Sequence, residues 1–161
     1  MAAAPALYTI GYQGASLQAF IAALKNAGVG TLVDVRYQPF SMRPEFRRRA
    51  LAEALEKSGI AYRHLKELGN PPDSRDAAKA GDEARYRRLF HEHLDRVETR
   101  AALDRVIALC GQGAAALMCL ERKPEDCHRL MVAERIAGLS GLAVAHLDPT
   151  AKPPDKQQLL L

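Results

Sequence analysis

The sequence predicts an α/β fold: a single three-layer domain with a mostly parallel, five-stranded sheet flanked by helices. Three observations lead to this prediction. Five short apolar runs recur along the chain, at residues 7–10, 31–35, 60–65, 114–119 and 142–147. Stretches with apolar residues at helical spacing separate these runs. In the amino-terminal part of the chain, the loops between the predicted strands and helices are short, which is typical of strand–helix–strand units with a parallel crossover.

The first such unit covers residues 7–35. An apolar strand at residues 7–10 leads into a loop, and Ser16 is a suitable N-cap for the helix that follows. Apolar residues at helical spacing run through residues 17–24 of that helix. The second strand, residues 31–35, is apolar except for Asp34, as expected of a strand covered on both faces.

The second helix is predicted to begin at Pro44, because proline is well tolerated in a first helical turn. Phe46 and Leu55 belong to its apolar side, and its outer side carries Arg47, Arg48 and Arg49. The third strand follows at residues 60–65.

The second half of the chain repeats this alternation less regularly. Residues 82–97 show a helical pattern, and a further helix has Cys110 on its apolar side. The fourth strand is the apolar run at residues 114–119. A helix beginning near Asp126 then leads to the fifth strand at residues 142–147.

Length and composition favour one globular domain. The chain has 161 residues, of which 48% are hydrophobic and 26% charged. No apolar run approaches the about 18–20 residues of a membrane span, and the start resembles no signal peptide, so a cytoplasmic protein is expected. Three cysteines then indicate reduced thiols. The domain is predicted to span residues 7–148, with flexible ends at residues 1–6 and 149–161.

The net charge of +4 is carried by arginine more than lysine. This balance suits contact with phosphate or nucleic acid. A GC-rich genome would produce the same bias toward arginine and alanine, so charge alone leaves both explanations open.

The segment from Ala114 to Leu130 is the strongest candidate for chemistry. Its apolar strand ends at Cys119, and Cys127-His128-Arg129 follows a charged turn and opens the next helix. Ligands bind at the carboxyl ends of strands in open α/β sheets, and a helix amino terminus favours a thiolate. We therefore predict catalytic roles for Cys119, Cys127 and His128.

Each of these roles has a simpler alternative. Cys119 would also suit the end of a core strand as a small apolar residue, and His128 would also suit a solvated surface. Nearby acidic residues limit the predicted lowering of the thiol pKa to a modest one. Cys110 is predicted to be an inert core residue.

Polar side chains also follow the other strands, and we predict that they bind an anion or substrate at the same edge of the sheet. The predicted set is Tyr12, Arg36, Arg43, His64, Glu121 and Arg129. Arg129 near a helix amino terminus opposes the dipole, and a bound anion would offset that repulsion. Asp34 and Arg36 would equally suit a structural ion pair, and Arg43 to Arg49 a solvated helix face.

Metal and cofactor sites are not predicted. The spacing CxxC is absent, and Cys119, Cys127 and His128 lack a second close pair of ligands.

Four stretches together carry a resemblance to a known family. They are Tyr8–Tyr12, then Leu32–Arg36 with Pro39, Ser41 and Arg43, then Tyr62–Leu65 with Leu68-Gly69, and finally Leu117–Cys119 with Glu121, Pro124 and Cys127–Arg129. In this order the chain resembles the domain-of-unknown-function family number 488, departing at Gln13, where that family often has a small polar residue. The resemblance implies a compact single-domain α/β protein and no agreed activity.

Three hypotheses for function follow. The first is an enzyme with a cysteine-based site at the carboxyl edge of the sheet, acting on a phosphate-bearing or nucleic-acid-related substrate. The second is a nucleic-acid or nucleotide-binding protein without catalysis, in which arginines contact phosphates and aromatic rings stack on bases. The third is a structural or regulatory adaptor in which the thiols are incidental. No membrane partner is expected.

Overall fold

The computed structural model describes residues 5–151; of the predicted flexible ends, residues 1–4 and 152–161 lie outside this range. It confirms the predicted fold class. Within the described range, five strands form one sheet in the order β3-β2-β4-β1-β5, and every pairing is parallel. The strands are β1 (Leu7–Gly11), β2 (Thr31–Asp34), β3 (Ala61–His64), β4 (Ala115–Cys119) and β5 (Val144–Leu147).

Within residues 5–151, six α-helices cover the sheet. They are α1 (Leu17–Asn26), α2 (Arg48–Lys57), α3 (Pro72–Lys79), α4 (Glu83–Leu94), α5 (Val97–Cys110) and α6 (Arg129–Ser140). Helix α3 was not predicted, because its sequence is polar and begins at a double proline that resembles a turn. Pro72 is nevertheless compatible with a helix, since a first-turn N–H has no intrahelical acceptor to lose. No helix among residues 5–151 has both the length and the apolar character needed to cross a membrane.

The sheet separates two hydrophobic cores, because successive side chains of a strand point to opposite faces. On one face, Phe90 of α4 and Val106 of α5 belong to the same core as Leu117 and Cys119 of β4. On the other face, helices α1 and α2 cover Met118 and its neighbours. Every residue of β1 and β4 is buried, as expected of strands covered on both faces.

Helix α6 begins later than predicted. Pro124–Asp126 forms a separate 3-10 turn, and Cys127 after it is extended, with φ −133° and ψ 146°. Cys127 therefore precedes α6 instead of lying in its first turn. Helix α2 also begins later than predicted. Pro44 starts a separate 3-10 turn, Pro44–Phe46, and α2 begins at Arg48.

Candidate functional site

A cavity of about 580 Å³ opens at the carboxyl edge of the sheet. It brings together five of the residues predicted for the site, namely Arg36, Cys119, Glu121, Cys127 and His128. Other residues of its wall come from the loop after β2 and from α3 and α4, and they include Tyr37, Arg75, Lys79, Glu83 and Tyr86.

Cys127 and His128 are paired in the wall of this cavity. The Sγ of Cys127 lies 3.7 Å from Nδ1 of His128. The other ring nitrogen, Nε2, lies 2.8 Å from the carbonyl oxygen of Val35. Because a carbonyl only accepts hydrogen bonds, Nε2 must carry a hydrogen. This leaves Nδ1 as the ring nitrogen that can take the proton of the Cys127 thiol. The backbone N–H of Arg129 also donates to this sulfur, at 3.5 Å.

These contacts favour a thiolate–imidazolium pair. Burial by itself raises the pKa of Cys127, but hydrogen bonds from Cys119 and His128 and the nearby positive charges bring it well below its usual range. Burial likewise lowers the pKa of His128, and the Cys127 thiolate reverses this and raises it. The pKa shift at Cys127 has the predicted direction, and its acidic neighbours in sequence, Glu125 and Asp126, are exposed residues of the cavity wall.

Cys119 is the protonated member of a thiol pair. Its Sγ, the Sγ of Cys127 and a ring nitrogen of His128 lie within 4.8 Å of one another. The hydrogen bond that Cys119 donates to the Cys127 thiolate raises the pKa of Cys119 well above normal, and burial adds to this. All three cysteines are free thiols. Cys110 is buried in the core, and burial raises its pKa.

Glu121 adds a carboxyl group that titrates near neutral pH. Burial, followed by the negative charge of Cys127, raises the pKa of Glu121 to about 7. Its Oε2 is buried and has no hydrogen-bond partner among the described residues. The cavity therefore holds a thiolate and a group able to give or take a proton at physiological pH.

The loop that carries these groups is held by β1 and by Arg129. A Cβ on Gly11 would overlap the backbone carbonyl of Glu121, so the loop lies against β1 at a distance that only glycine permits. The backbone N–H groups of Tyr12 and Gln13 donate to the carbonyls of Cys119 and Leu120, at 3.3 and 2.9 Å.

Arg129 supports the same loop from inside the protein. Its side chain is 0% exposed and donates to the carbonyls of Glu121 and Arg122. Its Nε has no partner among the described residues. The guanidinium is thus part of the framework of the loop and does not face the cavity.

Arg36 is held in a buried ion pair, as the structural alternative proposed. Its guanidinium donates to both carboxylate oxygens of Asp34, at 2.9 and 2.7 Å, and to the carbonyl of Phe46 at 2.8 Å. The hydroxyl of Tyr62 donates to the same carboxylate. His64 lies close by, with Nε2 donating to the Arg36 carbonyl at 2.8 Å.

Tyr12 and Arg43 lie at a second cavity, of about 400 Å³. The Tyr12 ring is buried and stacks on Phe46 with centroids 4.5 Å apart. Arg43 donates to Glu45 at 3.1 Å and to the carbonyl of Tyr12 at 3.3 Å. The three arginines predicted to bind one anion do not line one cavity among the described residues: Arg36 is in an ion pair at the first cavity, Arg43 lies at the second, and Arg129 is buried.

The sequence did not identify Tyr86, Arg75 and Lys79 as residues of the site. Tyr86 belongs to an apolar helical pattern and would be assigned to the core on that pattern alone. Burial, then the charge of Cys127, raises its pKa. Arg75 and Lys79 lie four residues apart on α3, whose existence was itself not predicted. No ion pair among residues 5–151 includes either cation.

Cys119, Cys127 and His128 are also the one group of potential metal donors found at close range within residues 5–151. They supply three donor atoms, whereas a structural zinc site takes four.

Comparison with known proteins yields one match. A family model described as "Domain of unknown function DUF488" matches residues 16–136. This range includes every predicted site residue except Tyr12. No curated protein and no solved structure matches the chain.

Proposed function

Because the chain belongs to the DUF488 family, whose description names no reaction, we propose its function from the geometry of the cavity: a cysteine-dependent enzyme with Cys127 as its nucleophile. The observation that carries this proposal is the 3.7 Å contact between Cys127 Sγ and His128 Nδ1 in the wall of an open cavity. A thiolate is the reactive form of cysteine, and a neighbouring imidazolium keeps it ionised at neutral pH.

The residues around the thiolate supply the remaining roles. The bond between His128 Nε2 and the Val35 carbonyl fixes the ring, so that only Nδ1 faces the sulfur. Glu121, with a pKa of about 7, supplies a proton to a leaving group or takes one from water. The Cys119 thiol, whose Sγ lies within 4.8 Å of the Cys127 Sγ, helps to stabilise the thiolate.

The substrate class that we propose is a phosphate-bearing compound, including a nucleotide or nucleic acid. Arg75 and Lys79 line the cavity that holds the thiols, and neither is in an ion pair with a described acidic residue. Two cations that have no acidic partner and line the same cavity as a nucleophile can bind the charged oxygens of a phosphate group.

The proposed reaction has two steps. The Cys127 sulfur forms a bond to phosphorus as the phosphorus–oxygen bond of the ester breaks, and the leaving oxygen takes the proton of Glu121. Water then breaks the sulfur–phosphorus bond, gives a proton to the Glu121 carboxylate and releases phosphate together with the Cys127 thiolate.

A panel of phosphate mono- and diesters tests the proposal, with Cys127→Ala and Cys110→Ala compared against the unmodified protein. We expect hydrolysis of at least one ester, loss of that activity in Cys127→Ala and full activity in Cys110→Ala. Inorganic phosphate and nucleotides should also slow the alkylation of Cys127 by iodoacetamide. Activity that persists in Cys127→Ala would overturn the nucleophile assignment, and the absence of any protection would overturn the substrate class.

A second candidate function, nucleic-acid binding without catalysis, is favoured by a different surface. Phe40 and Met42 are 57% and 86% exposed, and the neighbouring Arg47, Arg48 and Arg49 are also exposed. The Arg47 guanidinium lies 4.8 Å from the centroid of the Phe40 ring. An exposed aromatic ring beside cations is the arrangement with which proteins bind single strands.

Binding of a single-stranded oligonucleotide at several salt concentrations tests this second candidate. Phe40→Ala should remove about 1–3 kcal/mol of stacking. Arg48→Gln should reduce the salt dependence by about one phosphate contact. Binding that is unchanged in both variants would exclude this surface.

A further inference from the structure

We infer that Cys119 and Cys127 also act as a pair, through which the protein reduces a small disulfide and acquires an internal Cys119–Cys127 disulfide. This activity goes beyond the proposed phosphate chemistry. It uses the nucleophilic character of Cys127 and makes no use of the cations of α3.

The positions of the two thiols support bond formation between them. The Sγ atoms lie within 4.8 Å of each other, and both residues line the cavity in which a substrate would bind. A disulfide bond is about 2.05 Å long, so the sulfurs would have to approach by no more than about 2.8 Å. Rotation of a cysteine side chain between staggered χ1 positions moves its sulfur by a comparable distance.

The backbone at the two cysteines differs in a way that suits this movement. Cys119 ends β4 and is paired with Gly11 of β1, so its backbone is held by the sheet. Cys127 lies between a 3-10 turn and α6 and belongs to neither. The adjustment would therefore fall on Cys127 and the turn before it.

The surroundings also give the two thiols different roles. Cys127 faces His128 and the N–H of Arg129, so it is the attacking thiolate. Cys119 holds its proton until the second step. Glu121 lines the same cavity, and its carboxyl group has a buried oxygen with no hydrogen-bond partner among the described residues. A carboxylate in this cavity can take the Cys119 proton in the second step.

The atoms and electrons balance over two exchanges. The Cys127 thiolate attacks one sulfur of the substrate disulfide, forms a mixed disulfide and releases the first thiolate, which takes a proton from water or from His128. Cys119 gives its proton to Glu121 and attacks the Cys127 sulfur, which releases the second thiolate. Two protein thiols have then lost two electrons, and the substrate disulfide has gained them. A small thiol in excess would return the protein to its reduced form.

The phosphate reaction proposed above forms no bond to Cys119. A second thiol within 4.8 Å of the nucleophile would serve that reaction only as a hydrogen-bond donor, a role that Ser could also fill. The disulfide reaction, in contrast, requires sulfur at this position. Cys119→Ser therefore separates the two roles.

The test uses oxidised glutathione as the probe, with free thiols counted after denaturation and adducts identified by intact mass. We expect the unmodified protein to retain one free thiol of three, to carry no glutathione and to release two glutathione molecules per chain. Cys119→Ser should retain glutathione on Cys127 and release only one molecule. Cys127→Ser should react at least ten-fold more slowly, and Cys110→Ser should react like the unmodified protein.

A stable glutathione adduct on the unmodified protein, or equal release by Cys119→Ser, would overturn the inference. Circular dichroism of each variant verifies that it is folded. The two proposals also fail separately. If the internal disulfide forms but ester hydrolysis does not depend on Cys127, only the proposed function is refuted. If hydrolysis depends on Cys127 but the glutathione adduct persists, only the inference about the cysteine pair is refuted.

Discussion

Three cysteines of this chain have different chemistry because their neighbours differ. Cys127 contacts an imidazole and a backbone N–H, Cys119 lies at the edge of an apolar core within 4.8 Å of the Cys127 sulfur, and Cys110 is surrounded by apolar residues. Residue type therefore identifies candidates, whereas the surrounding charges and hydrogen bonds decide which of them ionises.

His128→Asn tests this explanation at the residue level. The variant removes the positive charge beside Cys127, so the pKa of Cys127 should rise toward the free-thiol value of about 8.5. We expect the rate of iodoacetamide alkylation at pH 6.5 to fall at least ten-fold, with little change at pH 9. The matched control is His91→Asn, on an exposed position of α4. Identical pH profiles for the unmodified protein and His128→Asn would contradict the pairing.

Glu121 should affect the pH dependence of stability. Its pKa is about 7 in the folded protein and about 4.5 when unfolded, so between these pH values the folded state binds more protons. The Glu121 contribution therefore destabilises the fold increasingly as the pH rises from 4.5 to 7. Glu121→Gln should lessen this loss, so that the variant gains in Tm relative to the unmodified protein as the pH rises.

The measurement is thermal unfolding at pH 5 and pH 7.5. Each kcal/mol of difference corresponds to about 2–4 °C in Tm for a chain of this size. Glu125→Gln, at an exposed site in the same loop, is the control. A pH dependence that is the same in Glu121→Gln and the unmodified protein would show that Glu121 is ionised normally.

At the scale of elements, β1 and the loop after β4 depend on each other. Gly11→Ala should displace the loop, because the new Cβ would overlap the Glu121 carbonyl. We expect a loss of at least about 2 kcal/mol in the free energy of unfolding and slower alkylation of Cys127 at neutral pH. Urea unfolding and alkylation kinetics would measure the two effects.

Gly138→Ala is the matched control for Gly11→Ala. Gly138 lies within α6, and a Cβ there would meet nothing within 4 Å. Because alanine favours a helix over glycine by about 1 kcal/mol, this variant should be more stable, with unchanged alkylation. Equal effects of the two substitutions would refute the steric explanation.

The strands were predictable because each is a short apolar run, and all five observed strands lie within or one residue beyond the predicted ranges. Helix α3 was not, because its polar sequence resembles a loop. The order of the strands in the sheet was also not predictable, because an apolar run in the sequence does not specify which other strand it pairs with. Arg129 illustrates the same limit at the site: its sequence position suggested an anion contact, whereas its long side chain turns back to bind carbonyls.

At the scale of the whole molecule, the candidate site belongs to one of the two cores. Cys119, Cys127 and Phe90 share the core covered by α4, α5 and α6, whereas Phe46 lies in the core on the opposite face of the sheet. The Phe90 ring packs edge-on against His128, with centroids 5.5 Å apart. Changes in packing on the face covered by α4, α5 and α6 should therefore alter the reactivity of Cys127. Changes on the opposite face should alter the stability of the fold alone.

Phe90→Leu and Phe46→Leu form a matched pair for this expectation. Both side chains are 0% exposed, so each variant should lose about 1–3 kcal/mol in the free energy of unfolding. Only Phe90→Leu should also slow the alkylation of Cys127, since it loosens His128. Chemical denaturation and thiol kinetics on both proteins would show the difference, and equal thiol kinetics would mean that the cores are not distinguished in this way.

The contact between Gly11 and the Glu121 carbonyl bears on how this chemistry could be transplanted. Residues 119–129 contain both thiols and the histidine, yet their shape is set by a glycine more than one hundred positions earlier in the chain. A designer who grafts that loop alone onto another scaffold would supply the reactive groups without the surface that holds them. The smallest portable unit is therefore β1 with Gly11 together with β4 and its loop, and a host would also have to supply a carbonyl where that of Val35 accepts from His128.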